Sequence, residues 1–199
     1  MLFERKRCQM EINTTGYKEI TVGLIVLTNP YHIEGTAAVL QVRGELDHEI
    51  LGWRDWPGGC EVTCRGTFST GEEYADTLKR VVAQKLGQNA YRMMVSYGMD
   101  ERNMLEVGRE DEGEGKFLRV TFGVFVRDPR FIKHLQLNAS TGGIRWLPRE
   151  QLKALIDLTT IDKVRGVTER RTIAMSPNEI EAVRKAFELL APDAGAEAP

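Results

Sequence analysis

The segment from residue 70 to residue 87, TGEEYADTLKRVVAQKLG, carries acidic side chains at one end and a basic side chain at the other. Glu72, Glu73 and Asp76 are close enough along the chain to hold a divalent metal ion, because Mg²⁺ prefers oxygen ligands such as carboxylates. Acids at the start of a helix are also stabilised by the helix dipole, so a purely structural role stays open. Lys85 could hold a phosphate group with its ammonium charge, or be a solvated surface lysine.

A second group of acids lies at Glu106–Gly115 (EVGREDEGEG), a segment that its composition predicts to be a loop. Such a loop could bring a general base over a substrate, although a solvated loop is the simpler interpretation. Its candidate side chains are Glu110, Asp111, Glu112 and Glu114.

Arg54 is a further candidate for phosphate binding, provided that its segment faces inward. It lies between Trp53 and Trp56, which we expect to fill the core rather than to stack on a base. The histidines lack the spacing of metal ligands and are assigned no special role. They are His32, His48 and His134.

The cysteines are Cys8, Cys60 and Cys64, an odd number that is too small for a disulfide scaffold or a four-thiolate zinc site. In a single strand Cys60 and Cys64 would share a face, so we expect a reduced, packed pair. A redox or metal role for this pair is the alternative.

The composition predicts one globular domain with appendages. The 199 residues are 42% hydrophobic and 28% charged, with a net charge of -2, which provides no overall basic field for nucleic acid. No apolar run approaches the length of a membrane span, and the N-terminal MLFERKRCQM does not resemble a signal peptide. We therefore expect a cytoplasmic protein.

Two helices have clear sequence signals. Residues 72–86 carry an apolar stripe of helical period, start at a capping box formed by Thr70 and Glu73 or by Ser69 and Glu72, and stop at Gly87. The last helix follows Ser176 and Pro177, with Glu179 completing a second capping box. Another helix is expected to open at Pro148 with REQLKALIDL.

Strands are expected to outnumber helices before residue 150. Runs rich in β-branched residues, alternating segments and turn signals predict them. The predicted strands are Ile20–Thr28, Ala37–Val42, Cys60–Phe68, Arg92–Tyr97, Leu118–Val126 and Ile144–Leu147, with a charged loop at Gly44–Gly52.

This order of elements, with a Pro-Gly-Gly turn at residues 57–59, Gly71-Glu72 before a helix, and IRWLPREQL near the end, resembles the Nudix hydrolase family over about residues 18–158. The family signature places a Glu, an Arg eight residues later, and then a Gly at positions matched here by Glu72, Arg80 and Gly87. Gly66 also falls at signature spacing. We prefer to match the family's first glycine to Gly58 and Gly59, which leaves seven extra residues before Gly71.

The departures from the signature concern the metal site. The family holds divalent metal with carboxylates that follow the Arg, and those positions are occupied here by Val81, Gln84 and Lys85. An apolar group, an amide and an ammonium remove the hard oxygen ligands that Mg²⁺ requires, and Lys85 would repel the ion. The matching framework residues are expected to be structural: Gly58, Gly59, Gly71, Arg80 and Gly87.

The resemblance therefore implies an α/β fold, a Nudix-like α/β/α sandwich around a mixed sheet, with an additional C-terminal helix. We expect an N-terminal arm at 1–17, the Nudix-like domain at 18–158, and a helical extension with a disordered tail at 159–199. The protein is expected to be non-hydrolytic and to use no cofactor. It would bind a nucleotide or ADP-ribose-like ligand through Arg54, Glu72, Gln84 and Lys85, or serve as a protein-interaction module.

Two alternatives stay open. A divergent hydrolase of nucleoside diphosphate-linked compounds would draw magnesium ligands from Glu72, Asp76 or the acidic segment, and a structural subunit would have a filled cleft. A protein partner or a homodimer is compatible with each hypothesis, whereas a membrane or nucleic-acid partner is not expected.

Overall fold

A computed structural model describes residues 16–47, 52–69, 71–113, 115–137, 141–169 and 171–191. The helices are α1 (Tyr74–Leu86), α2 (Gln88–Ser96) and α3 (Pro177–Leu190). The strands are β1 (Glu19–Thr28), β2 (Ala37–Arg43), β3 (Leu46–Asp47), β4 (Gly52–Trp53), β5 (Cys60–Glu61), β6 (Cys64–Thr67), β7 (Leu105–Asp111), β8 (Phe117–Phe125), β9 (Thr141–Pro148), β10 (Ile156–Asp157) and β11 (Ala174–Met175). Segments of 3₁₀ helix occupy Glu101–Asn103, Pro129–His134, Arg149–Ala154 and Leu158–Thr160.

The central strand of the mixed sheet is β1. One of its edges pairs in parallel with β8, and the outer edge of β8 carries β7 in antiparallel orientation. The other edge of β1 is shared, because its first half pairs with β6 and its last residues pair with β2. Beyond β1, β2 pairs with both β5 and β9. The short pairs β3–β4 and β10–β11 lie outside this sheet.

Helices cover both faces of the sheet, as the sequence predicts. Alternate residues of β1 such as Val22 and Leu24 pack in the core beneath α1, whereas Ile25 and Leu27 pack in the core beneath α3. Because β1 is buried on both faces, it is a nearly continuous apolar run rather than an alternating one. We call the two sides of the sheet the α1 face and the α3 face. Within the described ranges, no helix is both long and apolar enough to cross a lipid bilayer.

The strongest helix signal is confirmed, with a corrected start. α1 begins at Tyr74, two residues later than predicted, and its N-cap is Glu73, whose side chain makes no capping hydrogen bond. The Ser69 amide instead donates to Glu72 Oε2 over 3.4 Å. Thr70, the other predicted capping residue, lies outside the described residues.

An ion pair fixes the segment that leads into α1. Arg80 donates to both carboxylate oxygens of Glu72, from Nε over 2.8 Å and from a terminal nitrogen over 2.7 Å. Thr77 adds a hydrogen bond of 2.8 Å to the same carboxylate. These bonds hold the pKa of Glu72 down to about 2, with the Arg80 hydrogen bond as the main cause. Bidentate pairing of this kind gives directional as well as electrostatic stabilisation.

Close contact between α1 and β6 depends on Gly66. A Cβ atom at this position would overlap Val81 Cγ2, and Val81 is itself only 1% exposed. Gly66 therefore allows the helix to pack closely on the strand. It also falls at the spacing of the family signature. Between the Pro-Gly-Gly turn and Gly71 the chain has seven residues more than the family spacing. The stretch that contains these additional residues includes β6.

The predicted C-terminal helix is confirmed as α3, but the prediction for Pro148 is wrong. Ser176 is the N-cap of α3 and Pro177 its first residue, and the Ser176 hydroxyl donates to Glu179 rather than to the backbone. After Pro148 the chain forms only the short 3₁₀ segment Arg149–Ala154. The main cover of the α3 face is thus α3, because Val183, Ala186 and Phe187 belong to the α3-side core.

In two other segments, the predicted type of secondary structure is wrong. The predicted strand Arg92–Tyr97 is the end of α2, whose buried Ala90 and Met94 are spaced by four residues, as on a helix face. The predicted acidic loop Glu106–Gly115 is largely β7, which pairs along β8 and buries Val107. β7 lies at the edge of the sheet, where charged side chains are common.

The segment Cys60–Phe68 is two strands rather than one. The break between β5 and β6 places Cys60 in the α3-side core and Cys64 in the α1-side core, so the expected shared face is wrong. Both thiols are free and buried. Burial raises the pKa of Cys60 to about 11 and that of Cys64 to about 12. Cys8 lies outside the described residues.

Two smaller expectations also change. The expected charged loop Gly44–Gly52 contains β3 and the start of β4, although its middle lies outside the described residues. Gly87 ends α1 with φ 96° and ψ 149°, which is not the left-handed helical cap, and α2 begins at the next residue. Gly71, with φ 88°, occupies a backbone conformation that favours glycine.

Changing Gly66→Ala is expected to lower the free energy of unfolding by about 1–3 kcal/mol, because the added methyl overpacks the α1–β6 contact. Urea denaturation measures this change. In the double variant Gly66→Ala/Val81→Ala, the space vacated by Val81 should accommodate the methyl group. The loss in the double variant is therefore expected to be smaller than the sum of the two single losses. Simple additivity would show that the two residues do not limit the approach of helix and strand.

Changing Glu72→Gln is expected to lower the urea midpoint at pH 7, because it removes the carboxylate that Arg80 holds. The pKa of Glu72 is depressed, so its stabilising contribution is present above the ordinary glutamate value and is lost as pH falls toward about 2. The difference in stability between wild type and Glu72→Gln should therefore shrink as pH falls from about 4.5 to about 2, the interval between the ordinary and the lowered pKa. Glu73→Gln is the matched control, and a difference equal to that of Glu72→Gln at every pH would contradict the role of the ion pair.

Candidate functional site

The three positions that depart from the family signature have different surroundings. Val81 is buried in the α1-side core, Gln84 is exposed, and Lys85 is partly buried. Val81 therefore supplies packing rather than a polar contact. Gln84 and Lys85 remain the groups of this turn that a ligand could reach.

Lys85 lies beside β6. Its positive charge lowers the pKa of the Cys64 thiol, although the larger effect of burial keeps that pKa raised. Cys64 in turn belongs to the same core cluster as Val39 of β2. α1 packs against β6 and β1, so its basic end lies on the α1 face of the sheet.

The α1 face of the sheet continues past Val39 into polar residues. Gln41 lies between two residues that pack on the α3 face, so its own side chain belongs to the α1 face. It pairs with Glu61 of β5 on one side and with Ile144 of β9 on the other. The Nε2 atom of Gln41 is buried without a hydrogen-bond partner among the described residues.

Two arginines converge on Glu61. Arg43 Nε lies 2.9 Å and an Arg54 terminal nitrogen lies 3.6 Å from the same oxygen, Glu61 Oε1. The Arg43 contact is an ion pair outside hydrogen-bond geometry. All three side chains are about one-fifth exposed, so solvent screens them only in part. Two arginines therefore share one carboxylate at this edge of the α1 face.

An aromatic residue borders the same face. Trp146 of β9 pairs with Val39 and packs partly buried against the α1-side core. His32 meets its ring edge to face at 5.6 Å between centroids. His32 thus has a packing partner, His134 ends the 3₁₀ segment that begins at Pro129, and His48 lies outside the described residues.

The turn at residues 57–59 positions Arg54 and Glu61 from either side. Gly58 adopts φ 77°, and a side chain there would also meet the Val167 carbonyl. The segment 158–167 holds the turn in place. Val167 donates to the Pro57 carbonyl over 2.8 Å, and Trp56 donates from its indole to the Ile161 carbonyl over 3.0 Å. Trp56 is only partly buried, and the side chain of Trp53 lies outside the described residues.

Two of the acids near the start of α1 have basic partners. Both oxygens of Glu72 are engaged by Arg80, and Asp76 lies 3.1 Å from Lys79. In the acidic segment, Glu110 pairs with Arg119 and Asp111 accepts from Tyr17. Among the described residues, no three His, Cys, Asp or Glu side chains are grouped as a metal site. Glu114 lies outside them.

Reasoning from sequence identified Arg54 and Lys85 but missed Arg43, Gln41, Glu61 and Trp146. The alternation of β2 was the available signal for Gln41, since Val39 and Gln41 share a face in any strand. The pairing of Arg43 with Glu61 has no local signal, because it depends on β5 lying beside β2. The ligand-binding role predicted for Glu72 and Gln84 stays a prediction.

No known family profile matches the chain, and no curated protein sequence matches it. Solved structures do resemble it. A MutT/nudix family protein from Enterococcus faecalis superposes with a TM-score of 0.54 at 14% identity, covering 90% of this chain and 64% of that chain. This chain therefore spans less than two thirds of the Enterococcus protein.

Two further structures are similar. A mutT/nudix family protein from Listeria innocua gives a TM-score of 0.53 at 13% identity, over 86% of this chain and 93% of that one. The NUDIX domain of Shewanella oneidensis NrtR, solved with ADP ribose, gives 0.48 at 13% identity, over 94% and 98%. At such low identity the likeness concerns the fold alone. The chain has a Nudix-like fold.

Proposed function

We propose that this protein binds a nucleotide-type ligand containing a diphosphate, such as ADP-ribose, on the α1 face and does not hydrolyse it. The observation that carries the proposal is the convergence of Arg43 and Arg54 on Glu61 at the edge of the face that Lys85 also flanks. Guanidinium groups bind phosphate with two parallel hydrogen bonds, and an ammonium adds a point charge. An incoming diphosphate would take the place of the Glu61 carboxylate as the partner of these arginines.

The remaining groups of the face suit the non-phosphate part of such a ligand. Trp146 offers an aromatic surface beside Val39, and base–aromatic stacking tolerates different bases. The buried amide of Gln41 provides a hydrogen-bond donor that the described residues leave unsatisfied. A polar atom on the ligand would satisfy this donor and so favour ligands that carry an acceptor.

The side chains at the family's metal positions do not fit magnesium. A buried valine, an exposed amide and an ammonium offer none of the carboxylates that hold a hard dication. Glu72 and Asp76 could serve only by giving up Arg80 and Lys79. These facts support binding without metal-assisted hydrolysis.

Isothermal titration calorimetry with ADP-ribose in EDTA tests the proposal. Wild type is expected to bind, and binding should weaken as salt rises, because charges on the surface are screened within about 8 Å at physiological ionic strength. Lys85→Glu should weaken binding more than Lys85→Ala, and excess Mg²⁺ should partly rescue only Lys85→Glu by providing one hard ligand. Glu61→Gln should tighten binding, since it removes the competing carboxylate.

Lys79→Ala is the matched control for Lys85→Ala. It removes a lysine from the same helix, but one that pairs with Asp76 and Glu101 rather than with the α1 face. Its affinity should equal that of wild type. If wild type and Lys85→Glu bind equally, or if neither binds, the proposed site is wrong.

Incubation of ADP-ribose with Mg²⁺ and the protein is expected to release no AMP above background, because the metal carboxylates of the family are absent from α1. Chromatography of the nucleotides measures this. Robust turnover that disappears in Asp76→Ala, with thermal stability preserved, would instead establish a divergent hydrolase. Glu73→Ala is the control for loss of an acid from the same region.

A further inference from the structure

A groove of about 370 Å³ lies on the α3 face, between the 3₁₀ segment Arg149–Ala154 and the second half of α3. Leu152 packs partly buried against the α3-side core and gives the groove the accessible part of its apolar floor, and Phe187 lies buried beneath that floor. The residues that line it are Arg149, Leu152, Lys153, Arg184, Phe187 and Glu188.

Three cations surround this floor. Within the described residues, the side chains of Arg149 and Lys153 make no hydrogen bond or ion pair, and Arg184 reaches only Glu181 at 4.0 Å. Glu188 is the single acid of the lining, so the groove has a net positive charge in a chain whose net charge is -2. Cations without internal partners remain available to an external anion.

Other arginines of this protein differ from those of the groove, because they are paired with acids. Several of them form ion pairs of 3.1 Å or less with a carboxylate. These pairs are Arg65–Glu179, Arg80–Glu72, Arg109–Glu106 and Arg119–Glu110. The groove departs from this pattern, because it gathers cations around an apolar floor without neutralising them.

We infer that this groove binds an acidic peptide segment of a partner protein that inserts an apolar side chain. An apolar centre surrounded by a polar rim is the usual arrangement of a protein interface, and charge complementarity selects the partner. Acidic side chains on either side of the inserted residue would pair with Arg149, Lys153 and Arg184. The inserted side chain would extend the core that Leu152 and Phe187 begin.

The lining favours a peptide over a nucleic acid. Single strands are held by aromatic side chains on which bases stack, and the aromatic ring of this groove, Phe187, is only 1% exposed. Duplexes require many cations to neutralise successive phosphates, whereas this groove supplies three.

The groove is independent of the proposed nucleotide site. It lies on the α3 face, whereas Lys85 and Glu61 belong to the α1 face. A peptide and a nucleotide could therefore bind at once. Failure of one proposal would leave the other untouched.

Fluorescence anisotropy with a fluorescein-labelled peptide EDELFEDE and the full chain tests the inference. Wild type is expected to bind, and Arg149→Glu/Lys153→Glu should lose affinity by about tenfold or more, as several exposed ion pairs turn repulsive. Lys116→Glu/Lys133→Glu changes the net charge equally at positions outside the groove and should bind like wild type. A peptide with its Leu-Phe pair replaced by Ser-Ser should also bind at least about tenfold more weakly, because the apolar anchor is lost.

Three outcomes would overturn the inference. One is equal binding by the two charge-reversed variants, which would indicate a general effect of net charge. Another is equal binding of the Leu-Phe and Ser-Ser peptides, which would show that the apolar floor is not used. The third is tighter binding of a labelled oligothymidylate that also depends on Arg149 and Lys153, which would assign the groove to nucleic acid. Thermal melts of every variant distinguish loss of binding from loss of folding.

Discussion

The contact between Val81 and Gly66 determines how closely α1 approaches the sheet. It therefore also determines which side chains of α1 are buried on the α1 face. A valine at position 81 is buried beneath the helix, where a carboxylate would be desolvated and left without a partner. Position 81 is thus part of the core in this chain. A carboxylate there would require rebuilding the helix–strand contact as well as exchanging one side chain.

Some ion pairs of this protein link elements of the framework, whereas other cations lie at its surface. Glu72 with Arg80 stabilises the entry to α1, and Arg65 with Glu179 links β6 to the start of α3. Cations also gather at the Glu61 cluster and along the groove beside Phe187. These two groups of cations lie on opposite faces of one sheet. Such groups need no strongly basic composition, because local arrangement rather than net charge determines the field near each surface.

Much of the framework could be predicted from the sequence, because its signals are local. The apolar runs of β1 and β8, the stripe of α1 and the Ser176-Pro177 start of α3 each depend on neighbouring residues. α2 was misassigned because Met93, Met94 and Val95 suit a short strand as well as a helix. β7 was misassigned because the charged side chains of an edge strand resemble those of a loop. The Glu61 cluster could not be predicted, because it requires the register of β5 against β2, which no local pattern encodes.

The parallel pairing of β1 with β8 has a consequence for how the chain folds. Nearly half of the chain separates these strands, whereas only residues 29–36 separate β1 from β2. The hairpin can therefore form early and locally, while the other edge of β1 waits for β8 to be synthesised. Contacts so distant along the chain slow folding and leave an apolar strand edge unpaired in the meantime. During synthesis, the edge of β1 that later pairs with β8 therefore stays open, and an open apolar strand edge favours aggregation.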